Sequence, residues 1–200
     1  MPRATYADLI REVRAQIDAD DDTVFGWLLD RSRVLNAEAS WLLKTAPIPI
    51  DGGNQRGYPL PVDCVWVEAV MLGAQPYQRS TMHSLDMAYN GTLAPPVGIY
   101  ADGANDAGAP LLQIYPDTTG ELTVRYIADV PDDRTLSPPF PADFDEALVE
   151  GAIAMGLARM DERFDSAGYF DERFVNAVGR LKRRRHGHIG RGATKIRVFG

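Results

Sequence analysis

The 200-residue chain has little of the chemistry on which many secreted proteins and metalloproteins depend. Its one cysteine, Cys64, cannot form an intramolecular disulfide and is too few for a zinc or iron–sulfur site. No apolar run approaches the roughly 20 residues of a membrane-spanning helix, and the first residues lack the pattern of a secretory signal. We therefore expect a globular protein made in a reducing cytoplasm, with Cys64 as a buried, inert thiol.

The chain also lacks the motifs of common catalytic sites. It has no G-x-S-x-G nucleophile motif, no P-loop and no dinucleotide-binding glycine motif that opens a helix. His186 and His188 lie among arginines, where positive charge disfavours a bound cation, and His83 has only Asp86 nearby as a second ligand. The acidic run 18–22 lacks the ligand spacing of a calcium loop. We accordingly expect no catalytic residue, no metal and no cofactor.

Positive charge is concentrated at one end of the chain. Overall, 28 acidic residues outnumber 21 basic ones and give a net charge of -7. The last 21 residues, 180–200, hold eight of the lysines and arginines and no acidic residue. This leaves 13 basic against 28 acidic residues, a charge of -15, for residues 1–179. The chain is thus an acidic body with a basic end.

Apolar spacing predicts two helices at the start of the chain. Residues 5–17 carry an apolar side chain every three or four positions, with Thr5 as the N-cap and Asp8 as its capping-box partner. A second helix is predicted from a cap at Asp22 to about residue 46, where two prolines would end it.

The pattern changes in the middle of the chain and returns to helix near the end. Strands are predicted at 48–50, 64–72, 97–101, 111–115 and 121–128, with a short helix over 80–89 that Ser80 or Thr81 caps. A linker with four prolines, 131–141, leads to a helix that Asp143 caps and that runs to about Met160. A last helix is predicted over 168–185.

This order of elements predicts an α+β fold. Two N-terminal and two C-terminal helices, 1–46 and 142–186, would form a helical bundle with a β-rich insertion, 47–130, and the linker 131–141. We expect one domain over residues 1–186 and an extended C-terminal arm over 187–200.

Three interpretations of the basic end are open. The run Arg180–Arg185 could bind nucleic-acid phosphates without sequence preference, or it could stabilise the C-terminus of its own helix. Residues 195–199 alternate basic and apolar side chains after several glycines, a pattern typical of a strand. A strand-like end suits addition to the sheet edge of a partner, which favours an arm over a core strand.

Several segments carry a further signal in their order and spacing. They are TYADLI at 5–10, the second helix with Asn36 and Trp41, YPLPVD at 58–63, LQIYP at 112–116, LTVRY at 122–126, and Leu136 and Pro141 ahead of EAL at 146–148 and GAIA at 151–154. Together these segments resemble the head-to-tail adaptor, or connector, proteins of tailed bacteriophages. The likeness covers roughly residues 5–185.

The resemblance implies a structural protein of the virion that is made in the host cytoplasm and is not an enzyme. It implies a homo-oligomer, a ring of twelve copies below the portal at the neck, whose partners are the portal and tail or stopper (tail-completion) proteins. Genomic DNA would pass through without sequence-specific binding, and no membrane is involved. The C-terminal segment would bind the portal through Arg183, Arg184, Arg185, Arg191, Lys195, Ile196, Arg197, Val198 and Phe199.

Two questions stay open at this point. The long central insertion, with its loop at 102–110, could face neighbouring copies, tail proteins or solvent. A small nucleic-acid-binding protein that uses the basic end is the alternative function. That alternative predicts duplex DNA binding that depends on the tail and weakens steeply with salt, whereas an adaptor with an acidic body should bind DNA weakly or not at all.

Overall fold

The described part of the chain divides into two compact units. The computed structural model describes residues 3–53, 57–104, 108–159 and 164–192, with residues 164 and 186–192 described for their backbone alone. A helical unit comprises Met1–Trp41 and Val130–Gly200, and a sheet unit comprises Leu42–Asp129. The described residues form five α-helices and a seven-stranded sheet, so the fold is mixed α+β. None of the described helices has the length and hydropathy needed to cross a membrane.

Four of the five helices lie in the helical unit. They are α1 (Tyr6–Arg14), α2 (Asp21–Ala39), α4 (Asp145–Arg159) and α5 (Phe164–Gly192), whereas α3 (Met82–Tyr89) lies in the sheet unit. The predicted start of α1 is confirmed, because the Thr5 hydroxyl accepts from the Asp8 N–H while the Asp8 carboxylate accepts from the Thr5 N–H. The reciprocal bonds satisfy N–H groups that the first helical turn leaves open.

Helix α2 begins and ends earlier than the sequence predicts. Its N-cap is Asp20, whose carboxylate accepts from the Thr23 N–H at 2.8 Å, so the predicted cap at Asp22 is wrong. The helix ends at Ser40, which has a left-handed φ of 47°, and the prediction of helix to residue 46 is also wrong. Residues 43–46 instead pair with a distant strand, a contact that local periodicity cannot reveal.

The C-terminal helices also differ from their predicted bounds. Asp143 lies in a 3₁₀ turn, Ala142–Phe144, and pairs with Arg184 instead of capping α4. Helix α5 continues past the predicted end at 185 to Gly192, so residues 187–192 are helical, not extended. The remainder of the expected arm, 193–200, lies outside the described residues.

Glycines on α4 allow the helices of this unit to pack closely. A Cβ atom at Gly156 would lie 2.8 Å from the Trp27 ring on α2, and one at Gly151 would lie 2.8 Å from the Phe174 ring on α5. Because real Cβ atoms do not approach carbon atoms that closely, any larger residue would push α4 away from its neighbours. Phe174 itself is fully buried at this contact.

Replacing Phe174 with alanine is expected to destabilise the protein by about 3–5 kcal/mol, since the substitution leaves a cavity between α4 and α5. The matched control is Val175→Ala at the next position, where the side chain is 58% exposed. Its effect should stay within about 0.5 kcal/mol. Urea unfolding followed by circular dichroism measures both variants, and a loss below about 1 kcal/mol for Phe174→Ala contradicts this account of the core.

The sheet unit contains seven strands. They are β1 (Leu43–Asp51), β2 (Tyr58–Pro59), β3 (Cys64–Leu72), β4 (Gln75–Arg79), β5 (Ile99–Ala104), β6 (Pro110–Tyr115) and β7 (Thr119–Ala128), in the spatial order β1-β7-β3-β4-β5-β6-β2. Neighbours are antiparallel except β4 and β5. The predicted strands near β3, β6 and β7 are confirmed, whereas β4 was missed because only one of its five side chains is buried.

Side chains from all seven strands fill one apolar core. It consists of Ile48, Ile50, Tyr58, Leu60, Val67, Val70, Tyr77, Tyr100, Leu112, Ile114, Leu122 and Val124. Because the two end strands, β1 and β2, both contribute and approach each other, the sheet is strongly curved. Pro47 and Pro49, which were predicted to end a helix, lie in the edge strand β1, where a missing N–H is tolerated.

The two ends of the sheet unit lie side by side. The Ala128 N–H donates to the Leu42 carbonyl oxygen at 2.9 Å, so the chain enters and leaves the unit on neighbouring strands. The Asp63 carboxylate reinforces this junction, because it accepts from Lys44 at 2.7 Å and from the Tyr126 hydroxyl at 3.1 Å. The hydrogen bond from Lys44 holds the pKa of Asp63 below its usual range.

Candidate functional site

The basic side chains near the end of α5 bind other parts of the helical unit. Lys182 pairs with Glu38, Arg184 with Asp143, and Arg185 with the Ala39 carbonyl oxygen. The Arg184 guanidinium reaches both carboxylate oxygens of Asp143, at 2.9 and 3.0 Å. Ala39 is the last residue of α2, so Arg185 satisfies a carbonyl that the helix leaves open and opposes the negative end of its dipole.

The nine predicted portal-binding residues therefore fall into three groups. Arg183, Arg184 and Arg185 lie together on α5, and two of them are held by the contacts just described, while Arg183 is exposed. Arg191 belongs to the helical backbone of α5. Lys195, Ile196, Arg197, Val198 and Phe199 lie outside the described residues. The sequence could not show that Arg184 meets Asp143, because 41 residues separate them in the chain.

A groove between α2 and α5 is a surface that the sequence did not predict. Two adjoining depressions, of about 520 and 420 Å³, share Arg31 and Val34 and together make up what we call the α2–α5 groove. Val34 and Val175 are 41% and 58% exposed there, which is high for large apolar side chains. The other apolar lining residues are Ala154, Met155, Ala158, Ala167, Phe174 and Val178.

Arg31 fixes the floor of the α2–α5 groove. Its guanidinium pairs with Asp171 at 2.9 Å, donates to the Gly151 carbonyl oxygen at 3.1 Å, and lies 4.8 Å from the Phe174 ring centroid. The side chain is mostly buried, and its charge is balanced by the carboxylate. The groove is therefore apolar and close to neutral along its floor, and its shape is held by three helices.

The buried carboxylate of Glu150 lies in a structural ion pair. Burial raises the pKa of Glu150, and Arg173, which lies 2.6 Å from the carboxylate, opposes that rise. The pair joins α4 to α5.

Among the residues that the structure describes, no cluster of three or more His, Cys, Asp or Glu side chains could hold a metal ion. Cys64 is only partly buried, so the expectation of a buried thiol is wrong. The burial that it has still raises the pKa of the thiol to about 11, which keeps it protonated near neutral pH.

The sheet unit presents an exposed apolar surface of its own. Val62 is 97% exposed, and Val65 and Trp66 are more than half exposed. The Arg79 guanidinium lies 3.5 Å from the centroid of the Trp66 ring and also pairs with Asp102, so the indole is held in place. Tryptophan and arginine are enriched among residues that dominate protein–protein binding. We call these residues the Trp66 surface.

The described residues thus include three surfaces suited to protein contacts: the basic end of α5, the α2–α5 groove and the Trp66 surface. No curated protein matches the sequence. The family model described as SU10 adaptor protein matches residues 4–195, which span both units and all five helices. This confirms the resemblance seen in the sequence, and the chain belongs to the SU10 adaptor protein family, a family of structural phage head-to-tail adaptors.

Proposed function

We propose that the chain forms a ring of twelve copies below the portal at the neck of the virion. The ring joins the portal to tail or tail-completion proteins and leaves a channel for the genome. The observation that carries this proposal is the family match over residues 4–195, which covers nearly the whole chain. Three separate contact surfaces agree with it, since a ring subunit must bind its neighbours, the portal and the tail.

In this proposal the C-terminal segment binds the portal. Helix α5 reaches Gly192, and the Arg184 and Arg185 contacts join it to α2 and to the 3₁₀ turn within the helical unit. Arg183, Arg191, Lys195 and Arg197 supply positive charge for an acidic docking surface, and Ile196, Val198 and Phe199 supply apolar contacts.

The acidic body suits the wall of a DNA channel. Residues 1–179 carry a net charge of -15, and twelve such subunits would surround the channel with negative potential. Like charge keeps DNA phosphates from binding to the wall, so the genome can move through. The Trp66 surface is the part of the sheet unit that we assign to contacts with tail proteins.

The intramolecular contacts of the basic end weigh against the nucleic-acid-binding alternative. Lys182 and Arg184 already pair with carboxylates, and Arg185 binds a backbone carbonyl. A phosphate-binding patch needs several cations free to exchange counterions. Most of the described cations in the 180–185 run are instead used to join α5 to α2 and to the 3₁₀ turn.

Reconstituting the chain with the portal of the same phage tests the proposal. Electron microscopy of the complex should show a ring with twelvefold symmetry directly below the portal, with the sheet units turned toward the tail side or the neighbouring subunits. Light scattering gives the number of copies independently. If the two proteins do not associate under any salt condition, the assignment to the portal is wrong.

A further inference from the structure

The helical unit exposes an apolar side chain on a hydrogen-bonded loop that contacts α2 away from the α2–α5 groove. Residues 131–137, which we call the Leu136 loop, expose the Leu136 side chain to 45%. The Asp133 carboxylate accepts from the N–H and the hydroxyl of Thr135, at 2.8 and 2.7 Å. The Leu136 carbonyl oxygen accepts from the Tyr6 N–H at 2.9 Å, which ties the loop to the start of α1.

The loop and the groove lie on roughly opposite sides of α2. Arg134 of the loop pairs with Asp22 and lies over the Phe25 ring, whereas the groove is lined by Arg31 and Val34. At 3.6 residues per turn, Asp22 and Phe25 lie about 120° to 180° round α2 from Arg31 and Val34 on the groove side. A copy of the chain therefore cannot place its own Leu136 loop in its own groove.

We propose that the α2–α5 groove of one copy receives the Leu136 loop of a second copy. This proposal rests on the ring proposed above and names the surfaces that would join its subunits. An exposed loop and a groove on opposite sides of one subunit give a head-to-tail contact, which is the kind that can close into a ring. Two grooves facing each other would leave both concave surfaces unfilled.

The chemistry of the two surfaces agrees with this occupant. Leu136 is apolar and would cover Val34 and Val175, whose exposure is otherwise unfavourable. The loop carries the exposed acidic residues Asp132 and Asp133, and the α4 rim of the groove carries the exposed Arg159. Since the α2 rim carries Asp30, the acidic side of the loop lies toward α4 in this arrangement.

Complementation between two variants tests the contact. Val175→Asp damages the groove and Leu136→Asp damages the loop, and both side chains are exposed enough for the change to leave the fold intact, as circular dichroism will check. We expect the wild-type chain to self-associate and each variant alone to lose self-association. An equal mixture should form a dimer of twice the 22.0 kDa chain mass. The intact loop of the Val175→Asp chain can bind the intact groove of the Leu136→Asp chain, whereas the two damaged surfaces cannot extend the assembly.

The matched control is Val97→Asp on the sheet unit, where the side chain is 48% exposed and belongs to none of the three named surfaces, and it should assemble like the wild-type chain. If Val175→Asp does not fold, Val34→Asp takes its place. A mixture that stays monomeric, a groove variant that assembles normally, or a wild-type chain that stays monomeric at about 1 mM overturns the proposal. Portal binding is measured separately. A chain that self-associates but does not bind the portal contradicts the proposed function and leaves the groove contact standing.

Discussion

Removing residues 193–200 is expected to abolish binding to the portal while the rest of the chain stays folded. The deletion removes Lys195 and Arg197 together with the apolar side chains between and after them, and it leaves all of α5 in place. It also keeps the contacts of Arg184 and Arg185, so the helical unit loses none of its described interactions. Portal binding is measured by co-sedimentation or surface plasmon resonance, and folding by circular dichroism.

Two further variants separate charge from apolar contact in this segment. Reversing the charges with Lys195→Glu and Arg197→Glu should weaken portal binding most strongly at low salt, because salt screens exposed charges. Replacing Ile196, Val198 and Phe199 with serine should weaken it at every salt concentration. If the deletion leaves portal binding unchanged, residues 193–200 are not the portal contact, and the assignment of Lys195, Ile196, Arg197, Val198 and Phe199 is wrong.

The sequence predicted the locally determined parts of the fold. The capping box of α1 joins residues three apart, and the Thr81 hydroxyl caps α3 by accepting from the Ser84 N–H, also three residues on, so short-range patterns were sufficient for both. The bounds of β3 were also correct, although its two irregularities in register were not visible in the sequence. The two helix caps depend on residues close in the sequence, and the bounds of β3 follow from its run of apolar residues.

The failures occurred where distant contacts override local preference. Leu43 to Ala46 continue an apparently helical pattern, yet they form a strand because β7 offers hydrogen bonds to them. Pro47 and Pro49 end no helix and instead occupy the open edge of the sheet. A single-sequence pattern contains no information on which strand lies alongside, so it cannot predict that residues 43–46 pair with β7.

The candidate site likewise has features that the sequence predicts and features that only the tertiary structure reveals. The basic end was visible in the sequence because charge composition alone reveals it, whereas the contacts that hold Arg184 and Arg185 depend on tertiary structure. The α2–α5 groove was missed, since Val34 and Val175 lie outside the main apolar stripes of their helices. Such off-stripe apolar residues are the one sequence signal that could have indicated it.

Because the two ends of the sheet unit lie side by side, we expect that the unit can be deleted without unfolding the helical unit. Joining Leu42 to Asp129 through two glycines removes 43–128, and the Leu42–Ala128 hydrogen bond of 2.9 Å shows that a tight turn can span the gap. The helical unit keeps its own fully buried core, which includes Leu9, Leu28 and Leu148. We expect a helical, cooperatively unfolding protein that still self-associates and binds the portal but no longer binds tail proteins.

A smaller deletion provides the control for this experiment. Removing 52–118 leaves β1 paired with β7 alone, and a two-stranded sheet has little stability in water. The cut also exposes Ile48, Ile50, Leu122 and other members of the sheet core. We therefore expect this shorter deletion to aggregate although it removes fewer residues than the complete excision. Should the complete excision aggregate as well, or lose cooperative unfolding by circular dichroism, the helical unit depends on the sheet unit for its stability and the two are not separable.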